Sequence, residues 1–354
     1  MAAGTEAPPL DVSADVLRAY TRDIFAAAGT PADVAERLAG SLVNANQSGH
    51  DSHGVIRIPQ YISSIRDGAV VADARPTVTM DGPSFVIVDG NWGFGQETAR
   101  YAMNQAVERA KKNGVGMAAT LKTNHIGRLG EWAELAASQG TVGMVTVAIA
   151  GSRGISVAPF GGAGRALSTN PIAIGVPRGD QPPMLLDFAT SIVAEGKVRF
   201  ARDKGVDLPP GCVRDKDGNP TVDPKDFYDG GTLQPFGGHK GYALAMMVEV
   251  LSIAFSGADG PDASTKTGMY SGSWFLAMDP SKTRPDGGFV ESVERLTSRV
   301  LAVKPAPGFD RVMLPGEPEI ATRAARAKAV SVPAATWRDI GAEAEKLGVA
   351  TPKV

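Results

Sequence analysis

The stretch GVGMAATLK, residues 114–122, decides how the fold is read. Its first six residues match G-x-G-x-x-A, the glycine pattern of a dinucleotide-binding turn. Such a turn binds pyrophosphate only where it follows a strand and opens a helix, because the phosphate rests on the helix's N-terminal amides. Here the order is reversed. Residues 97–112 carry a helical pattern that stops at Gly114, and residues 116–122 read as a strand. These glycines end a helix, so a Rossmann domain is not expected. Neither G-x-x-x-x-G-K-[ST] nor G-x-S-x-G occurs, which argues against a P-loop ATPase and a serine hydrolase.

Working outward, the neighbouring segments alternate strand and helix. FVIVDG (85–90) reads as strand and turn, and residues 129–138 as a helix ending at Gly140. TVGMVTVAIA (141–150) is a nearly unbroken apolar run, the pattern of a strand buried on both faces. NPIAIGVP and PMLLDFAT are further short strands. GHKGYALAMMVEVLSIAFSG (238–257) is a long apolar helix whose period argues for a core position. The N-terminal part is different. The first dozen residues read as a flexible arm, and Ser13 is placed to cap a helix with Val16, Tyr20 and Ile24 on one face. Gly29 ends that helix. Thr30-Pro31 reads as N-cap and first helical position of a second, which runs to about residue 47 with Val34, Leu38 and Leu42 on one face. A third helix covers 58–66, and the tail after Pro333 returns to amphipathic helix. The expected plan is an α/β fold of the α+β type. A helical lobe (1–75, rejoined by 320–354) packs on an α/β lobe (76–319).

Composition narrows the function classes. The net charge of -2 and the scattered Lys and Arg give no field for nucleic acid or anionic membrane. No apolar run reaches the roughly 18 residues of a membrane span. The N-terminus lacks the pattern of a secretory signal. Cys212 is the single cysteine, so no internal disulfide can form and thiolate metal clusters are excluded. A cytoplasmic location is expected.

The chain has four histidines: His50 and His53 in GHDSHGVIRIPQY (49–61), His125 in TNHIGRLGEW, and His239 in PFGGHKGYAL. Each has a glycine within two positions, which places them on turns where backbone can approach a ligand. His50, Asp51 and His53 have a spacing open to metal ligands, but the bracketing glycines oppose a regular helix and no third nearby ligand completes a set, so no metal is expected. His125 lies between a strand and a helix, an edge where active sites gather. His239-Lys240 opens a helix after two glycines, and Lys240 with the helix amides suits a phosphate. Asp187, at the end of an apolar strand run, reads either as a helix cap or as the orienting partner of a histidine.

Eight stretches, GHDSHGVIRIPQY, TNHIGRLGEWAE, VAPFGG, STNPIAIGVP, LLDFATS, GNPTVDP, PFGGHKGYALAMMVEVL and LPGEPE, occur in the order seen in the type 2 malate/L-lactate dehydrogenase family. The chain resembles that group, which includes sulfolactate, ureidoglycolate and diketogulonate dehydrogenases and cyclic ketimine reductases, over about residues 14–350. The resemblance implies an oxidoreductase using NAD or NADP on a non-Rossmann nucleotide fold. It implies hydride transfer to or from a small 2-oxo or 2-hydroxy acid, or an imine. It also implies a homodimer with the active site near the subunit interface.

Carried over by position, His53 resembles the acid/base, Asp187 the carboxylate that orients and charges it, and His125 the second active-site histidine. Arg57 matches the substrate-carboxylate arginine. Tyr61 lines the same pocket, and Ser52 assists near nicotinamide or substrate. Leu186, Asp187, Phe188, Ala189, His239, Lys240, Gly316 and Glu317 match nucleotide-contacting segments, and Ser152 the usual serine contact. AGSRGISVAP departs from the family pattern at Arg153, and Cys212 stands where a tryptophan is frequent. His50 reads as supporting. The chemistry suits these residue types: neutral imidazole accepts a hydroxyl proton near pH 7, and a guanidinium grips a carboxylate bidentately. The competing readings are a cyclic ketimine reductase, a metal-dependent hydrolase or lyase on His50, Asp51 and His53, and a non-catalytic nucleotide-binding protein.

Overall fold

The computed structural model describes residues 8–151, 154–260 and 270–354. It opens with strand β1 (Leu10–Ser13) and helices α1 (Ala14–Ala27), α2 (Ala32–Gln47) and α3 (Ile58–Arg66). Strands β2 (Thr77–Asp81) and β3 (Phe85–Asp89), helix α4 (Gly95–Asn113), strand β4 (Val115–Thr123), helix α5 (Leu129–Ser138) and strand β5 (Val142–Ile149) follow. Next come β6 (Ile172–Arg178), β7 (Gln181–Phe188), α6 (Glu195–Lys204), β8 (Val213–Arg214), β9 (Pro220–Thr221), α7 (Pro224–Tyr228) and β10 (Thr232–Leu233). The chain continues with α8 (His239–Glu249), extended by a π-helical turn (Val250–Ala254), and β11 (Ser271–Met278). It finishes with α9 (Pro280–Thr283), α10 (Phe289–Leu301), α11 (Glu317–Ala325), β12 (Ala329–Val332) and α12 (Ala334–Lys346).

Seven strands form the central sheet in the order β2-β3-β4-β11-β5-β6-β7. Only β3 and β4 run parallel, joined by α4. Gly114 closes α4 with φ 89°, and Gly116 lies inside β4. The glycine pair thus ends a helix and starts a strand, as the sequence order requires. Helices α4 and α5 pack together against β3 to β7 and β11, while the π-helical turn after α8 meets β5 and β11.

A second core lies outside the sheet. Leu17, Tyr20, Ile24 and Phe25 of α1 and Val34, Leu38 and Leu42 of α2 pack with Ile58 and Tyr61 of α3 and with Trp337 and Ile340 of α12. Burying each such side chain is worth about 1.5–3 kcal/mol. Both chain ends build this core: β1 pairs antiparallel with β12, from Leu10 opposite Val332 to Ser13 opposite Ala329.

Several local expectations change. Residues 10–13 are a paired strand rather than a loose arm. Ser13 makes no side-chain cap; the Ala14 N–H is taken by the Lys328 carbonyl instead. Val16 faces solvent, and Leu17 takes its place in the stripe. Pro31, not Thr30, sits at the cap of α2, and the buried Thr30 hydroxyl has no partner among the described residues. Helix α8 buries only Gly241, Ala245 and Val248; Met247 and, one turn on, Val250 and Phe255 are about half exposed. Its apolar residues lie on two faces, of which one is covered among the described residues.

Candidate active site

The site begins at the end of α2. The buried Asn46 side chain accepts the Val55 N–H through Oδ1 (2.8 Å) and donates through Nδ2 to Asp51 Oδ1 (2.7 Å). A Cβ at Gly54 would lie 2.1–2.6 Å from that amide, so only glycine lets the chain pass. Arg326 clamps the outside, donating to the Asn46 carbonyl (2.6 Å) and to Asp51 Oδ1 (2.9 Å). Residues 51–57 therefore fold as two 3-10 turns, Asp51–His53 and Val55–Arg57, and not as a regular helix.

This turn pair brings His53 beside His125 from the β4–α5 loop. The two rings stack at 5.4 Å between centroids, 19° from parallel. Ser52 Oγ lies 3.0 Å from His53 Nδ1. Burial, reinforced by Arg57 and, to a lesser degree, by neighbouring His50 and Arg128, lowers the His53 pKa to about 3. Burial also holds His125 well below the ordinary imidazole range, with Arg57 and His53 adding to it. Both imidazoles are neutral at pH 7. The Tyr61 hydroxyl is 2.6 Å from His125 Nδ1 and accepts from Gln96 Nε2 at 2.9 Å; burial pushes its pKa up to about 12.

Arg57 completes this side. Its Nε donates to the Ser52 carbonyl (2.7 Å) and its Nη1 to Gln60 Oε1 (2.7 Å), which fixes the guanidinium plane. Among the described residues its Nη2 has no hydrogen-bond partner and no carboxylate contacts the guanidinium. Burial lowers its pKa, opposed by Tyr61 and Glu195 and reinforced by the charge of Arg199.

Asp187 sits elsewhere than expected. It accepts the Gly130 N–H through Oδ2 at 2.8 Å and makes no hydrogen bond to His53. Burial raises its carboxyl pKa, opposed by neighbouring His50 and Arg128 and by the Gly130 amide. The structure shows no direct hydrogen bond from Asp187 to His53: in a strand, alternate residues point to opposite faces, and Asp187 points with buried Leu185 toward α5. His50 faces that carboxylate and lies 3.7 Å from Glu319 Oε1. Arg128, with a fully buried side chain, pairs with Glu134, and Glu134 also receives Arg323 at 2.9 Å. Sequence reading missed Gln96, Arg128 and Gln60. The glycine flanks that singled out the histidines also surround Gln96 in WGFGQ and Arg128 in HIGRLG. Among the described residues no three His, Cys, Asp or Glu side chains group closely enough to hold a metal ion.

Of the residues matched to nucleotide-contacting segments, several lie at the end of β7 and the start of α8. Leu186 and Phe188 point away from Asp187, and Phe188 packs on Phe236 at 5.4 Å. Gly237 and Gly238, both at positive φ, lead into α8, whose first residues His239 and Lys240 are exposed. Lys240 makes no ion pair, and the Gly238 and His239 N–H groups have no backbone partner among the described residues. Free amides and a free ammonium at the start of an 11-residue helix form a donor set suited to a pyrophosphate. Gly316 starts α11 against Leu185 of β7, and Glu317 is occupied by Arg311 and the Leu314 N–H. Ser152 lies outside the described residues.

Stacked imidazoles thus lie beside a part-buried arginine on a non-Rossmann sheet. The family model described as malate/L-lactate dehydrogenase matches residues 12–341, and the chain belongs to that family. An L-lactate dehydrogenase of Cupriavidus necator is 34% identical over 97% of this chain and 99% of its own. A Δ1-pyrroline-2-carboxylate/Δ1-piperideine-2-carboxylate reductase of Pseudomonas syringae is 35% identical over 91% and 93%. Among solved structures, malate dehydrogenase from Pyrococcus horikoshii superposes with a TM-score of 0.87 at 30% identity, covering 99% of each chain. The protein is a hydroxy-acid oxidoreductase acting on CH–OH groups with NAD or NADP.

Proposed function

We propose that His53 moves the hydroxyl proton of a small 2-hydroxy acid while Arg57 holds its carboxylate. The observation that carries this reading is the part-buried guanidinium of Arg57, oriented by Ser52 and Gln60 yet with no carboxylate in contact among the described residues. A small carboxylate completes it bidentately and fixes C2 beside the two imidazoles. Bound nicotinamide supplies the hydride chemistry. His53, neutral at pH 7, takes the hydroxyl proton in oxidation and returns it in reduction, and Ser52 Oγ holds its Nδ1. Tyr61, hydrogen-bonded to His125, lines the same pocket. Asp187 acts on the charged site through His50 rather than by direct contact with His53. His239, Lys240, Leu186, Phe188, Ala189, Gly316, Glu317 and Ser152 hold the nucleotide.

The same grip suits the carboxylate of a cyclic imino acid, the chemistry named for the Pseudomonas syringae relative. Two lobes, 1–75 with 320–354 and 76–319, are supported by the two separate cores. A homodimer is supported by the uncovered apolar face of α8. A cytoplasmic location is supported by the single cysteine; no helix among the described residues is long and apolar enough to cross a membrane.

The test is turnover of NADH or NADPH against a panel of 2-oxo acids and cyclic imino acids. His53→Ala is expected to lower kcat by about 10²–10⁴-fold with nucleotide affinity unchanged. Arg57→Ala is expected to raise KM by about 10- to 100-fold, the worth of hydrogen bonds to a charged group. Wild-type turnover of no panel member, or full activity in both variants, would overturn the assignment.

A further inference from the structure

Gln96 lies in the first turn of α4 and is 3% exposed. Its Nε2 donates to the Tyr61 hydroxyl oxygen at 2.9 Å. Tyr61 has one proton to give. With its oxygen accepting from Gln96, that proton is directed to His125 Nδ1, 2.6 Å away. A ring nitrogen that accepts is unprotonated, so neutral His125 carries its proton on Nε2.

The direction of this chain depends on the amide orientation. Gln96 Oε1 is buried without a partner. As placed, the carbonyl and one N–H go unmet; turning the amide over would instead leave both N–H groups unmet. Buried N–H groups without acceptors are rarer than under-satisfied carbonyls. The orientation with nitrogen toward Tyr61 is therefore favoured, and the chain runs one way: Gln96 to Tyr61 to His125 to the cleft. His125 Nε2 has no partner among the described residues, and its ring stacks on His53.

We propose that Gln96 is a positioning residue that sets the tautomer of His125, making Nε2–H a hydrogen-bond donor to the substrate's 2-oxygen. The two histidines then divide the work: His53 carries the proton, and His125 polarises the oxygen without changing charge. The identity of that oxygen rests on the hydroxy-acid reading above; the tautomer does not.

Long-range ¹H–¹⁵N correlation NMR of the imidazoles at pH 7 tests it, with His125→Gln used to identify the signals. In the wild-type protein His125 is expected to show an unprotonated Nδ1 and a protonated Nε2. In Gln96→Leu, Tyr61 is free to accept from Nδ1, and the Nδ1–H form is expected to appear. kcat is expected to fall with the Nε2–H fraction lost, by up to about 100-fold, the usual worth of one such donor, while KM stays near wild type. A wild-type His125 protonated on Nδ1 overturns the proposal, and so does a Gln96→Leu protein that keeps Nε2–H alone. The wild-type spectrum needs no variant to fold and no active substrate. A failed substrate panel would count against the hydroxy-acid reading and leave this result standing.

Discussion

At the residue scale, burying imidazoles has a consequence for stability. His53 has a pKa of about 3 in the folded protein, against an ordinary value near 6.5 in the unfolded chain. As pH falls below 6.5, the unfolded state binds a proton that the folded state refuses. Stability is thus full above pH 6.5 and is lost on acidification, by up to about 1.4 kcal/mol per pH unit for one such group. Asp187 and Glu131, raised by burial, act in the opposite sense, because their folded forms keep protons that the unfolded chain releases. Comparing urea denaturation of wild type and His53→Gln between pH 7 and 5.5 isolates the histidine contribution: the variant is expected to lose less stability on acidification. Identical slopes would mean that His53 titrates normally. The sequence revealed these residues unevenly. His53, His125, Arg57 and Tyr61, singled out by shared motifs, lie close together. Gln96 and Arg128 did not stand out, because an amide or a guanidinium acquires its role only from partners distant in the chain: Tyr61 is 35 residues from Gln96. Asp187 was found at its strand end, but the pleat that turns it from His53 toward His50 is invisible without the register of β7.

At the element scale, the strongest sequence signals were periodic and local. Helices 58–66 and 129–138 begin and end where expected, because glycine punctuation and apolar spacing agree there. Caps were less legible. Ser13 is occupied by strand pairing, a tertiary demand that overrides its capping preference. Helix α8 shows what a single chain cannot explain. Ala243, Met247, Val250 and Phe255 lie on its uncovered side, and such a face is normally buried against another surface. On the proposed dimeric reading, Val250→Asp is expected to halve the mass measured by light scattering while leaving the far-ultraviolet circular dichroism unchanged. An unchanged mass in a dimeric parent would place the interface elsewhere.

At the scale of the whole molecule, the two cores are stitched by the chain's ends. β12 and α12 supply Val330, Val332, Trp337 and Ile340 to the core that carries His53 and Arg57. A chain ending at Lys328 loses these side chains and the partner of β1. It is expected to be cut by protease within residues 14–66 while the central sheet keeps its amide protection in hydrogen exchange. Uniform loss of protection would mean that the two lobes fold as one cooperative unit. The same stitching sets an order of events on the ribosome. Residues 14–66 emerge early, yet the strand that closes over them is made some 260 residues later, on the order of ten to fifty seconds at about 5–20 residues per second. Through that interval the sheet can assemble while the proton-carrying segment waits with its apolar face open, a surface that nascent-chain chaperones are built to hold.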